Sequence, residues 1–391
     1  MAQPKLRFKR EDGTEFPEWE DKCIGSIAVV KVGEKPSLVL GEASNFEYIN
    51  AGTTNSGYTT SFNCEGDTVT TPSRGQGGIG YVGYQSKEFW LGPLCYKIKS
   101  NDITTMTKYI FYVLTYHSSL ISDIKKVGSI PAINREDLIQ IALSFPCLEE
   151  QQKIVDFLSN IDEVIVQSEA EVQNLEQQKK VAMQKIFSQE VRFRRDDGME
   201  YPEWETNSLS ELCDYADYRG KTPTKTQNGI FLVTAKNIKQ GYIDYEISKE
   251  YIAEADYETV MHRGVPKIGD VIITTEAPMG NVAQIDRDKI ALAQRVIKYR
   301  GKNGLMDNDY LKQALLSKLF QDELNKRATG GTVKGIKGSV LHTLSLPVPC
   351  LEEQQKIADF LSAYDEAIAR AKQELDKWRE LKKGLLQQMF V

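Results

Sequence analysis

Apolar residues recur at alternating steps of four and three residues along two long segments of this chain, flanked by charged and amide side chains. This spacing is typical of the a/d seam of a coiled coil and predicts two helices, over residues 149–190 and 352–391. Each helix would measure roughly 55–60 Å. An amphipathic helix of that length needs a partner, and the other helix is the obvious one. The seam residues that we expect to pack are Ile154, Leu158, Ile161, Ile165 and Leu175 in the first helix and Ile357, Leu361, Ile368, Leu375 and Trp378 in the second.

The two helical segments begin with nearly the same sequence. PCLEEQQKIVDF at 146–157 and PCLEEQQKIADF at 349–360 differ at one of twelve positions. A second shared block reads LRFKREDGTEFPEWE at 6–20 and VRFRRDDGMEYPEWE at 191–205. The two pairs are offset by 203 and 185 residues, so the repeat unit is a domain followed by a helix. The second copy therefore carries an insertion of 18 residues before residue 269.

Each half reads as turns that lead into β-branched strands, followed by one helical stretch and a last short strand. This order predicts the α/β (α+β) class, with pseudo-repeated domains over 1–148 and 191–351 and the two long helices over 149–190 and 352–391. Residues 28–65 and 213–268 share little sequence, so a common scaffold would carry two different surfaces. The alternative is that each helix packs only on its own domain.

Composition narrows the function without deciding it. The chain has 391 residues and a net charge of −6, which argues mildly against a free-standing nucleic-acid binder but does not exclude one that works inside a complex. The sequence contains no long apolar run, so we expect no transmembrane helix. The first residues lack the apolar core of a signal peptide. Six scattered cysteines without a CxxC pair suit a reducing compartment, so we expect a cytoplasmic protein.

No catalytic motif survives inspection of its context. Residues 75–80 fit GxGxxG, but the following sequence reads as a strand where a dinucleotide site needs a helix. Residues 220–222 read GKT, yet Tyr215 stands where a phosphate-binding loop needs glycine. The three histidines have no zinc-site spacing, and no methyltransferase motif is present. The sequence therefore favours a recognition module over an enzyme and predicts no cofactor and no metal in this chain.

Two variable regions alternating with near-identical helices that begin EEQQKI resemble the specificity subunits of type I restriction–modification systems. The ending LKKGLLQQMF at 381–390, echoed by KKVAMQKIF at 179–187, strengthens this resemblance, which covers essentially the whole chain.

The resemblance implies two target-recognition domains, each reading one half of a bipartite site in double-stranded DNA. It implies antiparallel helices that set the unread spacer and dock two modification subunits, which together form an adenine methyltransferase. Restriction subunits would add ATP-dependent cleavage. S-adenosylmethionine, ATP and magnesium would belong to those partners, and this chain would be non-catalytic.

Basic and amide residues in glycine-flanked loops are the candidates for DNA contact, because such side chains read base edges and hold phosphates. For any single candidate, a solvent-exposed loop residue with no role in binding is an equally good interpretation. Trp19 and Trp204 belong to the shared block and are expected to be packing anchors, with stacking on bases as the alternative. The candidates for DNA contact are Arg74, Gln76, Ser129 and Asn134 in the first domain and Arg219, Lys221, Lys236, Asn237, Lys334 and Lys337 in the second.

Two other functions stay open at this stage. A coiled-coil adaptor whose α/β heads bind protein would share the architecture, and DNA binding with a strong salt dependence would exclude it. A fused DNA methyltransferase or nuclease would need catalytic motifs that the sequence does not contain.

Overall fold

The computed structural model describes residues 4–43, 45–75, 77–126, 128–218, 223–331 and 333–390. The chain divides into two compact units, and each contains part of both long helices. Unit 1 comprises Met1–Ser168 and Glu374–Val391, and unit 2 comprises Glu169–Gln373.

The described part of unit 1 contains three small sheets and four short helices before its long helix. A four-stranded antiparallel sheet has the order β2-β8-β5-β6, a three-stranded mixed sheet the order β4-β3-β7, and β1 pairs with β9. The strands are β1 (Glu20–Cys23), β2 (Ala28–Val32), β3 (Phe46–Ile49), β4 (Tyr58–Thr59), β5 (Thr68–Pro72), β6 (Gly83–Gln85), β7 (Trp90–Leu91), β8 (Cys95–Ser100) and β9 (Ala142–Phe145). The helices are α1 (Ile24–Ile27), α2 (Thr107–Tyr116), α3 (Ser118–Asp123), α4 (Arg135–Ile139) and the long α5 (Leu148–Phe187).

Unit 2 repeats this topology strand for strand. Its sheets have the orders β11-β17-β14-β15, β13-β12-β16 and β10-β18. The strands are β10 (Glu205–Ser208), β11 (Cys213–Asp217), β12 (Ile230–Val233), β13 (Tyr251–Ile252), β14 (Val271–Thr275), β15 (Met279–Gln284), β16 (Ala291–Leu292), β17 (Val296–Gly301) and β18 (Ser345–Val348). The helices are α6 (Leu209–Leu212), α7 (Tyr257–Val260), α8 (Asn308–Leu316), α9 (Lys318–Arg327), α10 (Gly338–Leu341) and the long α11 (Leu351–Met389).

The inserted residues of unit 2 lie in two connections of its three-stranded sheet. Residues 234–250 join β12 to β13 where eight residues, 50–57, join β3 to β4. Residues 253–270 join β13 to β14 and contain α7, where 60–67 join β4 to β5. The insertion therefore enlarges loops and leaves the shared scaffold intact.

The central strands explain where each core forms. All five residues of β5 (TVTTP) and all five of β14 (VIITT) are buried, as expected for β-branched runs covered on both faces. One face of the four-stranded sheet packs on α2 in unit 1 and on α8 in unit 2, where side chains such as Ile110 and Leu311 are fully buried.

The two long helices pack together, as the sequence predicted. Every seam position of α5 and α11 is buried or half-buried. In unit 1 the beginning of α5 shares a core with the end of α11, through Ile154, Leu158 and Met389 among others. In unit 2 the end of α5 shares a core with the beginning of α11, through Ile186 and Leu361 among others. The paired ends are therefore antiparallel in each unit.

The same spacing of four and three residues also places Lys179 and Lys382 in the seam, and each pairs with an aspartate of the other helix. In unit 2 Lys179 Nζ lies 2.5 Å from Asp365 Oδ1, and in unit 1 Lys382 Nζ lies 2.5 Å from Asp162 Oδ1. A charged group in an apolar seam favours the one alignment that pairs it, so these pairs help to fix the helix register. In the described residues, no helix combines the length and the apolar character that crossing a membrane requires.

Candidate nucleic-acid interface

The shared block of unit 1 binds a carboxylate at the beginning of α5. Glu150 is fully buried, and Arg7 donates to both of its oxygens, at 3.1 Å from Nε and 2.7 Å from Nη2. The indole of Trp19 donates to Glu150 Oε2 at 3.1 Å. Hydrogen bonding to Glu150 raises the pKa of Arg7, so the guanidinium stays charged.

Unit 2 contains the same arrangement at its own junction. Arg192 donates to both oxygens of the buried Glu353, at 3.3 and 2.9 Å, and Trp204 donates to Oε2 at 2.9 Å. Both tryptophans are thus held at the helix junctions, where their indole N–H groups bind the buried glutamates, as packing anchors would be.

The glutamine after each buried glutamate fixes the same junction from the other side. The Gln151 amide accepts from Met106 N and donates to Thr104 O and Pro146 O, each at 2.9 Å. Gln354 makes the three corresponding bonds, at 2.8 to 3.0 Å, in unit 2. The repeated EEQQ sequence therefore docks each long helix onto its domain, and a surface that differs between units must be sought in the loops.

In unit 1 the glycine-rich loop and the 128–134 loop lie side by side. Gly75 N donates to Pro131 O at 3.0 Å, and Ile133 N donates to Ser73 O at 2.9 Å. We call the surface that these two loops form the platform of unit 1. Arg74, Ser129 and Asn134 are all exposed on it. Gln76 lies outside the described residues.

A glycine of this loop allows it to approach a neighbouring segment closely. A Cβ on Gly78 would stand 2.2 Å from Ala51 O, so the loop can lie against 50–57 only with glycine here. The chain then enters β6, which confirms that a strand and not a helix follows the GxGxxG sequence.

Unit 2 has the corresponding platform around the end of β14. Ile336 N donates to Thr275 O at 3.0 Å, and Glu276 bridges to Gly335. These segments enclose a cleft of about 510 Å³. Its lining consists of Thr275, Glu276, Gln294, Arg295, Thr329, Val333, Gly335, Ile336 and Lys337.

The basic candidates of unit 2 are only partly brought together. Lys334 and Lys337 are exposed on the loop that borders this cleft, and within the described ranges neither is paired with a carboxylate. Lys236 is exposed on the connection after β12 and does not line the cleft. Arg219 and Lys221 lie outside the described residues.

The prediction that Asn237 contacts DNA is wrong. Its side chain is fully buried. The amide oxygen accepts from Thr234 N at 3.0 Å, and the amide nitrogen donates to Asp244 O and Ser248 O, each at 2.9 Å. Asn237 therefore closes the inserted 234–250 connection and is not available to a base.

Asp270, which directly precedes β14, is buried in an ion-pair network. Asp270 is 1% exposed, accepts from Arg300 Nε at 2.6 Å and Nη2 at 2.7 Å, and lies 3.5 Å from Lys298 Nζ. Burial lowers the pKa of Lys298 although Asp270 opposes that shift. No group of three or more His, Cys, Asp and Glu side chains within the described ranges is arranged to hold a metal ion.

Three polar residues of the unit 2 cleft, Glu276, Gln294 and Arg295, were not among the residues predicted from the sequence. The signal available was a difference between the halves: the turn before β17 reads AQR, whereas the turn before β8 reads GPL.

The family model of the type I restriction modification DNA specificity domain matches residues 17–177 and 201–377, which are most of both units. The chain belongs to this specificity family. The type I restriction enzyme MjaVIII specificity subunit of Methanocaldococcus jannaschii is 26% identical over 97% of this chain and 94% of its own length. The MjaIX specificity subunit of the same organism is 28% identical over 52% of this chain and 48% of its own length.

Solved structures share the fold of this member of the specificity family. The crystal structure of the type I restriction-modification S subunit from M. genitalium matches with a TM-score of 0.68 and 19% identity, over 100% of this chain and 99% of that one. A chain from a study of complex assembly and conformational transition of the type I R-M system matches with a TM-score of 0.53 and 17% identity, over 96% and 97% of the two chains.

Proposed function

We propose that this chain is the DNA-recognition subunit of a type I restriction–modification complex, and that each unit reads one half of a bipartite site in double-stranded DNA. One observation carries the proposal: two units of identical topology present loop platforms that differ in side-chain chemistry. A common scaffold with different loops suits two related acts of recognition, and paired modules read paired half-sites. Arg74, Ser129 and Asn134 would act for unit 1, and Lys334 and Lys337 for unit 2.

The long helices would set the unread spacer between the half-sites. At about 1.5 Å per residue, the 40 residues of α5 span about 60 Å. The chain itself would be non-catalytic and bind no cofactor. S-adenosylmethionine would serve the modification subunits, and ATP and magnesium the restriction subunits.

Two modification subunits would dock on the repeated frame, by which we mean the blocks shared by the two halves, 6–20 with 146–157 and 191–205 with 349–360. Two copies of one partner need two copies of one surface. Such a surface exists in both units. Phe8 and Phe157 meet edge to face in unit 1 with ring centroids 5.7 Å apart, and Phe193 and Phe360 do so in unit 2 at 5.6 Å. Phe157 and Phe360 remain 36% and 39% exposed. Exposed aromatic residues in a repeated frame are the kind of anchor that interfaces use.

The recognition role is tested by sequencing methylated bases in the genome with and without this gene. We expect N6-methyladenine to disappear from one bipartite motif when the gene is deleted. If no bipartite motif depends on the gene, the purified chain is mixed with its modification subunits and a DNA library. Failure to enrich any bipartite sequence in that experiment would contradict the proposal and favour a protein-binding adaptor.

The docking surface is tested by the stoichiometry of the complex. Phe360→Ser should release one modification subunit, and Phe157→Ser combined with Phe360→Ser should release both, as measured by mass photometry. Phe62→Ser is the matched control, since Phe62 is similarly exposed, at 47%, but lies outside the repeated frame. Full occupancy in the double variant would show that the modification subunits bind elsewhere.

A further inference from the structure

The turn between β16 and β17 of unit 2 is held rigidly beside the cleft. Arg295 O accepts from Thr275 N at 2.9 Å and from Thr275 Oγ1 at 3.3 Å. Ala293 N donates to Val233 O at 2.9 Å, and Val296 N donates to Ala293 O at 3.1 Å. Backbone bonds on both sides therefore fix the positions from which the Gln294 and Arg295 side chains enter the cleft.

The same backbone bonds identify the equivalent positions in unit 1. Ser73 N donates to Leu94 O at 2.9 Å, as Thr275 N does to Arg295 O. Ile133 N donates to Ser73 O, as Ile336 N does to Thr275 O. Matching the two networks equates Pro93 with Gln294, Leu94 with Arg295, Arg74 with Glu276 and Asn134 with Lys337.

This correspondence shows that the two platforms carry their charged side chains at different positions. Unit 1 has an exposed arginine, Arg74, at the position that Glu276 occupies in unit 2. In unit 2 the arginine stands across the cleft, where Arg295 Nε lies 3.6 Å from Glu276 Oε2. The two side chains are 49% and 45% exposed, so their pairing leaves guanidinium donors open to the cleft.

We propose that Gln294 and Arg295 determine the base preference of the half-site that unit 2 reads, and that Glu276 is a positioning residue for Arg295. This inference rests on the recognition function proposed above. Glutamine pairs bidentately with adenine and arginine with guanine in the major groove. Both side chains line a cleft with space for a base edge, and neither has a counterpart of similar chemistry in unit 1.

The test uses the full chain assembled with its modification subunits and a DNA library in which both half-sites are randomised. Methylated sequences are recovered and sequenced. Arg295→Ala and Gln294→Ala should each reduce discrimination at one position of the same half-site by about 10- to 100-fold, as loss of a bidentate base contact does. The other half-site should be unchanged, whereas Arg74→Ala should alter that other half-site and not this one.

Arg295→Lys separates base reading from phosphate neutralisation. It keeps the charge but lacks the planar fork, so it should lose discrimination about as far as Arg295→Ala does. Glu276→Gln should weaken discrimination at the Arg295 position only. Arg194→Ala, which removes an exposed arginine 4.0 Å from Glu200 in the repeated frame, is the control and should change nothing. Thermal unfolding of each variant confirms that it is folded.

The outcomes distinguish this inference from the function on which it rests. If the wild-type complex methylates no bipartite sequence, both are overturned. If the wild-type complex has a bipartite target and folded Arg295→Ala and Gln294→Ala keep its preferences, only this inference is overturned. The same holds if Arg295→Ala weakens all sequences alike while Arg295→Lys behaves as wild type, because that pattern marks a phosphate contact.

Discussion

The helix junctions and the loop platforms of the two units have diverged to very different extents. At the junctions, the distances from arginine Nη2 to the buried carboxylates of Glu150 and Glu353 are 2.7 and 2.9 Å. At the platforms, an arginine in one unit stands where the other has a glutamate. A buried ion pair tolerates little change because losing one partner leaves the other unsatisfied, whereas an exposed loop residue is free to change. The difference separates what holds the molecule together from what it recognises.

The largest effect should come from breaking a junction. Glu353→Ala leaves Arg192 and Trp204 without their acceptor, and we expect a loss of about 3–5 kcal/mol in the free energy of unfolding. Glu150→Ala should cost unit 1 about as much, because Glu150 has the same partners. Urea denaturation of the full chain measures both.

The neighbouring Glu352 provides the control for this prediction. It is exposed, so Glu352→Ala should change the free energy of unfolding by less than about 0.5 kcal/mol. A Glu150→Ala protein as stable as wild type would show that the two junctions are not energetically equivalent, whatever their geometry.

The next effect tests whether the insertion of unit 2 is scaffold or recognition surface. Asn237→Ala removes the bonds that close the 234–250 connection, and it leaves buried backbone groups unsatisfied. We expect it to lower the free energy of unfolding by about 2–3 kcal/mol. Because Asn237 is buried, the base preference of the folded fraction should be unchanged, and the exposed neighbour Lys236→Ala should leave stability unaffected. A folded Asn237→Ala protein with altered base preference would instead support the prediction that Asn237 contacts DNA.

Sequence repetition predicted the scaffold well, for a physical reason. The seam and the EEQQ block encode interactions that both copies need, so their sequences are nearly identical in the two halves. The helices α5 and α11 begin at Leu148 and Leu351, each one residue before the predicted start. The divergent regions nevertheless form matching strands such as β3 and β12. Those strands are four residues long and take their stability from the sheet, so their sequences carry little local signal.

The candidate site was predicted less well, since it depends on tertiary hydrogen bonds. Arg74 and Asn134 were accessible to sequence reasoning because glycines and polar residues surround them. Arg295 lies in the turn after a two-residue strand, and a tertiary hydrogen bond from Thr275 N to its carbonyl holds it at the cleft. Asn237 looked like any exposed amide in a loop, although the fold buries it. Composition does not distinguish these two situations.

A smaller effect is expected where the two helix pairs differ. Asp365 binds Lys179, Lys312 and the amide of Gln313, whereas Asp162 binds Lys382 and the hydroxyl of Tyr112. Neutralising Asp365 leaves two neighbouring lysines unscreened. Asp365→Asn should therefore lower the free energy of unfolding by about 2 kcal/mol at pH 7, and Asp162→Asn by about 1 kcal/mol. Equal losses would show that the additional lysine is energetically silent.

The pH dependence sharpens this prediction. Burial acts to raise the pKa of Asp365, but Lys179, followed by Lys312 and Gln313, outweighs it and holds the pKa below its ordinary value. A carboxylate with a lowered pKa stabilises the fold above its unfolded pKa, about 3.9, and this contribution is lost as the pH falls through the folded value. The difference between wild type and Asp365→Asn should thus shrink below about pH 4, as urea denaturation at pH 7, 4 and 3 would measure. A difference independent of pH would contradict the ion pairing.

The smallest effect contrasts the equivalent loop positions Asn134 and Lys337. A lysine is a point charge suited to phosphate, whereas an amide suits a base edge. Lys337→Ala should weaken binding to all sequences alike and reduce the slope of log affinity against log salt by about one. Asn134→Ala should leave that slope unchanged and relax one position of the half-site read by unit 1. Fluorescence anisotropy at several salt concentrations, with cognate and single-mismatch DNA, measures both quantities. If the two variants exchange these signatures, matching the platforms by their backbone bonds does not predict which side chain reads sequence.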